Sequence, residues 1–468
     1  MNPPSWLVRH FTYPLHERLQ RRPTLRVLHE LATLVGQSRQ AVEHLVEGRL
    51  GALLYFAAKH LPFYAERFAR HGLDPATQNP RAVLARLPIL DKHTVRANSE
   101  QMVWTHVPGG PIAHSSGGTT GDTLHFRIDR VRQAEPLAAR LFMQSLFGIR
   151  PGDRRAHLWG SPIETSGSRL KRWRDRLLNE MLLNAFDMSP ARMAQHLARL
   201  EDFRPRVLYG YPSALALLAR HILAHHRRPV GWPDLVVMTG EEIIPDQSAQ
   251  VRAAFRCQVA SEYGSREIGL IAHDCPHGRL HLLTPLTLVE VLADNRPACP
   301  GESGDIVCTT LNTRAQPLIR YHLGDAGMLP AENCDCGLPL PLLRLTGGKI
   351  TGLITLPDGR LCHGAITSHM LRDLPGIVEF KTYQRSRQYF EVFLVVNSNY
   401  EPRTPARIHS RYRALFGPQV EAACRVVERI PPDPSGKRRY VVSDVAPDRG
   451  DLTDVCDLVA TGPPPEAR

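Results

Sequence analysis

Lysine is scarce in this chain. Lysine and arginine together supply 58 of the 468 residues, yet lysine stands only at positions 59, 92, 171, 349, 381 and 437. Two of the six, Lys349 and Lys437, lie in glycine-bearing turns. No run of about 18 apolar residues occurs, which excludes a spanning helix. The amino terminus MNPPSWLVRHFTYPLHERLQRR lacks the charged segment, apolar stretch and small-residue cleavage site of a secretory signal. The HExxH, GxSxG and GxGxxG patterns are also missing, so zinc peptidase, esterase and dinucleotide readings have no starting point. No repeat or long polar tract is present, which excludes wholesale disorder. Nine cysteines, an odd number spread through a long chain, indicate a reducing compartment, and the expected location is the cytoplasm.

The net charge is +12 and the pI is about 9.5, a balance that attracts polyanions. The dense basic groups are nevertheless short: Arg21-Arg22, Arg154-Arg155, Lys171 to Arg176 and Lys437 to Arg439. A nucleic-acid partner is therefore not expected. The start of the chain, with Trp6, Phe11 and several arginines, is compatible with peripheral membrane contact.

The chain exceeds the length that one hydrophobic core usually serves, so two unequal domains are expected. From Leu15 to Arg70 the apolar residues recur at three and four, predicting a mainly helical region over residues 1–75. A helix is predicted from Val131 to Phe147. Short apolar runs then alternate with helical patterns: Arg206 to Tyr209, Ser213 to Ala224, Leu235 to Met238, Ser248 to Phe255, Gln258 to Val259. This is the pattern of an α/β sheet with crossover helices. Strands are expected at Leu286 to Leu292, Gly304 to Thr310 and Leu318 to Tyr321, forming a second, partly antiparallel sheet. Beyond the joint TGGKIT at 346–351 the pattern gives a small α+β domain. Its expected elements are strands at Leu353 to Leu356, Val378 to Tyr383 and Tyr389 to Val396, with helices at Ile366 to Leu374 and Pro405 to Leu415. The expected division is residues 1–348, 349–460 and a loose tail, 461–468.

The sequence SSGGTTG at 115–121 combines Ser115, Ser116, Thr119 and Thr120 hydroxyls with Gly117, Gly118 and Gly121. Small residues let the backbone approach a ligand, and successive amides suit an anion. It is not a Walker loop, because Asp122 stands where that pattern needs lysine. Alone, the loop fits a polyphosphate or a solvated turn equally well. Cys275, His281, Cys334 and Cys336 form a second constellation, three thiols and an imidazole that suit a closed structural zinc site. The Cys-x-Cys spacing is tight, His273 and His277 are rival ligands, and reduced residues in polar loops are the alternative. His221, His225 and His226 read as helix-surface residues.

In order along the chain stand LPFYAERF, LPILDKHTVRAN, SSGGTTG, YGYPSALALLA, TGEEI, SEYGSREIG, GESGDIVCTTL, PLIRYHLGD and PSGKRRYVVSD. With these landmarks, from Leu61 to Val442, the chain resembles the adenylate-forming superfamily, in its branch of phenylacetate-CoA ligases and capsular-polysaccharide-biosynthesis proteins. The resemblance implies an α/β fold with a large amino-terminal domain, a β-rich subdomain and a small mobile α+β carboxy-terminal domain. It implies that a carboxylic acid attacks the α-phosphate of ATP, pyrophosphate leaves, and the acyl-adenylate passes to CoA. An amine or carrier protein as acceptor, or an inactive homologue serving as a binding module, are the alternatives.

The resemblance also assigns residues. The 115–121 loop would grip the β- and γ-phosphates, and Thr239, Gly240 and Glu241 would line the adenine pocket. Tyr263, Gly264 and Ser265 would border the nucleotide, and Asp325 would accept the ribose hydroxyls. Glu267 would be a magnesium ligand, and Lys437 would swing in to neutralise charge at the α-phosphate. Tyr209, Tyr211, Ser213 and Glu262 would line the acyl pocket. At the domain joint the family commonly has Arg and, three residues on, Asp; Lys349 and Gly352 stand there. Lys349 reaches ribose or phosphate only as a point charge, and Gly352 loosens the joint. A homodimer is compatible with the resemblance.

Overall fold

The computed structural model describes residues 3–116, 124–160, 169–185, 187–225, 232–241, 243, 245–347, 353–359, 361–363, 365–371, 374–430 and 441–445. The amino-terminal region is helical, as its periodicity predicts. Its longest helix, Arg39–His60, starts where Ser38 Oγ accepts from the Ala41 amide at 3.1 Å. That side-chain acceptor satisfies one of the orphan donors of a helix start. Val42, Val46, Leu50, Leu53, Leu54 and Ala57 are buried along it, the stripe that a 3.6-residue period turns to one side.

A short antiparallel hairpin of β1 (Ile112–Ser115) and β2 (His125–Ile128) follows, pairing Ser115 with His125. Asp129 then caps the helix Arg130–Ser145, its Oδ1 accepting from the Arg132 amide at 2.8 Å. The other carboxylate oxygen accepts from the Arg314 amide at 2.6 Å, so one aspartate ties the helix start to a distant loop.

The central sheet contains β3 (Arg155–Trp159), β4 (Glu180–Asn184), β5 (Val207–Gly210), β6 (Leu235–Thr239), β7 (Gln258–Ser265), β8 (Gly269–Asp274) and β9 (Leu280–Leu282). Their spatial order is β4-β3-β5-β6-β7-β8-β9. The first five are parallel, and β8 and β9 add antiparallel pairs. The chain steps from β3 outward to β4 and then crosses back to β5. Such a reversal opens a crevice at the carboxyl ends of the strands, where ligands of open α/β sheets bind.

The second sheet is antiparallel throughout, with order β11-β10-β12-β13-β14. Its strands are β10 (Thr287–Ala293), β11 (Arg296–Pro297), β12 (Gly304–Thr310), β13 (Tyr321–Met328) and β14 (Arg344–Gly347). The expected strand at Leu318 to Tyr321 is displaced, for β13 begins only at Tyr321. Arg320 sits at φ +55°, and its guanidinium bonds to the carbonyls of Ala85 and Leu87 and to Glu290. That left-handed turn breaks the extended run that four apolar-rich letters suggest.

Further on, β15 (Leu353–Thr355) pairs with β16 (Leu361–His363). A four-stranded sheet joins β17 (Ile377–Gln384), β18 (Tyr389–Val396), β19 (Glu421–Val426) and β20 (Val441–Ser443) in the order β19-β18-β17-β20. The helix Thr404–Phe416 buries Ile408, Tyr412 and Phe416, and Tyr412 and Phe416 pack against Phe390 of β18. The architecture is therefore α/β with an antiparallel second sheet and an α+β carboxy-terminal part. No helix among the described residues is long and apolar enough to cross a membrane.

Candidate functional site

Residues at the carboxyl ends of β3, β5 and β6 meet at the crevice. Trp159 ends β3 and Tyr211 follows β5; their rings stack at 4.1 Å between centroids. Gly240 follows β6 at φ +85°, and a Cβ there would lie 3.1 Å from the Tyr211 ring. Glycine is thus required twice, by the backbone conformation and by the aromatic floor. Glu241 turns to the start of the helix Pro212–His225, accepting from the Ser213 amide at 2.9 Å and facing the Ser213 hydroxyl at 3.2 Å. A carboxylate at that end satisfies exposed amides and the positive end of the helix.

Below the aromatic pair lies a buried ionic cluster. Arg140 forks onto Glu262, Nε to Oε2 at 2.8 Å and Nη2 to Oε1 at 2.7 Å. Tyr209 donates to the same Oε1, and its ring lies 4.7 Å from the guanidinium carbon. Burial pushes the Glu262 carboxyl up, but the Arg140 charge outweighs it and holds the group below the usual carboxylate range. Burial likewise lifts the Tyr209 phenol well above its ordinary value, which keeps it a donor. Thr239 Oγ1 donates to the Glu262 carbonyl at 2.8 Å, tying β6 to β7.

Beside this cluster β7 carries the nucleotide-facing candidates. Tyr263 donates to Asp325 Oδ2 at 3.0 Å, joining the central sheet to β13. Burial, with the Asp325 charge, raises the Tyr263 phenol far above its normal value. The turn after β7 is held in place by Arg132, whose Nη2 reaches the carbonyls of Arg266 at 3.2 Å and Glu267 at 3.3 Å. Gly269 makes room for it, since a Cβ there would meet the guanidinium at 2.8 Å. Ser265 Oγ accepts from the Ile268 amide at 3.1 Å. At Gly264 a Cβ would strike the Gly269 carbonyl. Glu267 is largely buried and lies 3.8 Å from Lys92 Nζ.

Ser116 closes the base of the hairpin loop: its amide donates to the Leu124 carbonyl and its Oγ accepts from the Leu124 amide, both at 2.8 Å. Arg266 Nη1 reaches the Ser115 carbonyl at 3.4 Å, so the loop base and the Glu267 turn are neighbours. The remaining loop residues Gly117, Gly118, Thr119, Thr120 and Gly121, together with Lys349, Gly352 and Lys437, lie outside the described residues.

The soft-donor cluster is compact. Ligand atoms of Cys275, His281, Cys334 and Cys336 all fall within 4.8 Å of one another. Cys275 and Cys334 sulfurs are 3.7 Å apart, and Cys336 Sγ is 3.3 Å from His281 Nε2. His281 Nδ1 donates to the Leu340 carbonyl at 2.9 Å, which leaves Nε2 bare toward the thiols, the tautomer a metal-binding imidazole needs. His273, the rival, orients Nδ1 in the same way on the Asp274 carbonyl at 2.7 Å, but the ligand atoms that converge are those of His281 and the three cysteines. The donor set thus selects His281.

Sequence reasoning missed Arg140, Arg132, Lys92 and Trp159. Arg140 and Arg132 are arginines among many, and only the packing of one helix over β7 and β8 distinguishes them. Lys92 carried a usable signal, being one of few lysines and sitting inside the LPILDK landmark.

Residues 354–444 match the family described as the CapK C-terminal domain. The chain is 21% identical over 400 residues to Protein CapK of Staphylococcus aureus, covering 83% of this chain and 86% of that protein. It is 28% identical over 323 residues to phenylacetate-coenzyme A ligase of Thermus thermophilus, covering 66% and 69%. Among solved structures, 2-hydroxyisobutyryl-CoA ligase in complex with 2-HIB-AMP and CoA superposes with a TM-score of 0.56 at 20% identity, over 88% of this chain and 91% of that one. That likeness shows the fold. The carboxy-terminal match and the relatives along the chain make this protein similar to CapK and the phenylacetate-coenzyme A ligases, and its fold is the one seen in 2-hydroxyisobutyryl-CoA ligase.

Proposed function

We propose that the chain activates a carboxylic acid with ATP, releases pyrophosphate, and transfers the acyl group from the adenylate to CoA. The carrying observation is the gathering of Tyr263, Asp325, Glu267 and the loop base at one end of β7. In this reading Asp325, steadied by Tyr263, presents its other oxygen to the ribose hydroxyls. The acyl group lies against Trp159 and Tyr211, a surface suited to an aromatic or apolar acid. Gly240 keeps that surface open. Glu262 serves below it as a fixed, ionised support and not as a substrate ligand, because Arg140 and Tyr209 already engage it.

Glu267 is the residue that would hold magnesium, whose charge would offset that of the polyphosphate. Lys92 Nζ stands 3.8 Å from that carboxylate. Lys437 is proposed to neutralise the charge that builds at the α-phosphate, carried by a smaller domain of residues 349–460 moving against residues 1–348. Lys437→Ala is expected to lower adenylation roughly 100- to 1,000-fold, the usual cost of one preorganised donor, with ATP binding retained. Hydroxylamine trapping of the activated acid, across aryl, fatty and amino acids with and without CoA, measures it. Absence of hydroxamate from every acid by a wild-type protein that binds ATP would overturn the reading. An acceptor other than CoA is the second reading, which the similarity to Protein CapK leaves open.

The cluster of Cys275, His281, Cys334 and Cys336 is proposed to hold a structural zinc ion. Three thiolates and one oriented imidazole complete a closed tetrahedral set. Metal analysis of untagged protein is expected to find about one zinc per chain, as such a set binds, and much less in Cys336→Ser. Metal-free, fully folded wild-type protein would refute it. The described cysteines are free of disulfides, in keeping with the proposed cytoplasmic setting.

A further inference from the structure

More than half of the large apolar side chains exposed among the described residues stand on two adjoining elements, the helical segment Ser5–Leu19 and the helix Arg169–Leu177. On the first, Trp6, Phe11, Leu15 and Leu19 are all exposed. Leu15 and Leu19 follow Phe11 at steps of four, the spacing of one α-helical face. Trp6 precedes Phe11 by five, and the turn Val8–Thr12 between them is π-helical, which adds the one residue needed to keep both on that face. Their rings meet edge-on at 6.3 Å. On the second element Leu170, Trp173 and Leu177 stand at steps of three and four, with Leu170 80% and Trp173 68% exposed.

These ridges are not frayed ends. Thr12 Oγ1 donates to the Leu177 carbonyl at 3.0 Å, joining the two elements. Asn179 donates to the Pro3 carbonyl at 3.0 Å, and Arg9 Nε to the Pro151 carbonyl at 2.9 Å. The opposite side of the first segment buries Val8 and Glu17. A well-anchored segment that still presents Trp, Phe and Leu to solvent is one with an unfilled contact.

The flanking charge identifies the contact. Arg18, Arg21, Arg172 and Arg176 are exposed, and the acidic residue on each element is engaged, Glu17 by Arg22 and Asp175 by Arg174. We propose that this surface docks onto an anionic lipid bilayer, the apolar ridges entering the headgroup boundary while the arginines meet lipid phosphates. Apolar ridges edged by arginine are the combination such an interface selects. A second copy of the chain would set two arginine-edged faces against each other, which like charge opposes. The amino-terminal segment is anchored at Pro151 and Asn179, which precede β3 and β4, so docking there leaves the crevice at the opposite strand ends open.

The experiment is co-sedimentation of the full chain with vesicles of phosphatidylcholine alone and of phosphatidylcholine mixed with phosphatidylglycerol. Binding is expected to the mixed vesicles, weakly or not at all to the neutral ones, with release by salt. The double variant Trp6→Glu, Trp173→Glu is expected to lower the vesicle-bound fraction roughly tenfold or more, because both apolar anchors are lost. Arg172→Glu with Arg176→Glu is expected to abolish the preference for the anionic lipid. Unchanged circular dichroism and melting temperature show that the variants fold. Failure of the wild type to bind anionic vesicles, or equal binding by both folded variants, overturns the proposal. So does a dimer in light scattering that Trp173→Glu dissolves, for the face would then be covered by a second copy.

Discussion

Two buried carboxylates meet the same helix, Arg130–Ser145, with opposite outcomes. Glu262 reaches it from β7 and receives the full fork of Arg140, so it stays ionised despite burial. Glu135, one and a half turns earlier on the helix itself, is equally enclosed. Arg132, three residues before it, spends Nη2 on the carbonyls of Arg266 and Glu267, and Glu135 accepts from the Asn312 amide at 2.7 Å. Burial prevails there and pushes its pKa up to about 7. The difference is one of geometry and not of distance from water: a bidentate guanidinium outweighs desolvation, and a guanidinium committed elsewhere does not.

The strongest way to break the contrast is Arg140→Met, which leaves Glu262 buried without its partner. A loss of about 3 kcal/mol in denaturant unfolding is expected, at the low end for a broken buried pair because Arg140 keeps some solvent contact. Glu262→Gln in the same chain should recover part of it. Glu135→Gln is expected to act in the other direction, raising stability by about 1–3 kcal/mol at pH 8. The sign follows from proton uptake on folding. With the folded value near 7 and the ordinary one at 4.5, the wild type loses stability as pH rises between them, and the variant does not. Unfolding curves from about pH 4.5 to pH 8 measure the slope.

The smallest effect is expected from Glu262→Gln alone, about 1–2 kcal/mol at neutral pH. Because the folded Glu262 pKa is depressed, its contribution is present above the ordinary carboxylate range and disappears as pH falls through the folded value. The gap between wild type and variant should therefore close on acidification. A gap that widens toward low pH would mean that Arg140 does not hold the charge.

Both carboxylates also mark the limit of what the letters convey. Glu262 was expected to line an acyl pocket because SEYGSREIG lies in order with the other landmarks, and its engagement by Arg140 and Tyr209 was not foreseen; the α/β alternation placed β5 and β6 closely and only the start of β7. Arg140 was illegible, because an arginine on an amphipathic helix has no local pattern that tells a buried fork from a solvated side chain. The hairpin β1–β2 escaped for a related reason. His114, His125 and Arg127 interrupt its apolar alternation. The soft-donor cluster was suggested by residue types, while the choice of His281 over His273 needed the convergence of its ring with the three cysteines in space.

The Arg132 contact couples parts of the chain that are far apart in sequence. The hairpin strand β2 runs directly into the Asp129 cap, the cap fixes the first helical turn, and the guanidinium in that turn grips the carbonyls beside Glu267. Gly269 leaves that grip no slack. A displacement of β2 is thus delivered to the Glu267 turn through a short lever of a strand and one helical turn. On the proposed function, a ligand held beside Ser116 and an ion held by Glu267 would then sense one another mechanically, before any rearrangement of the sheet.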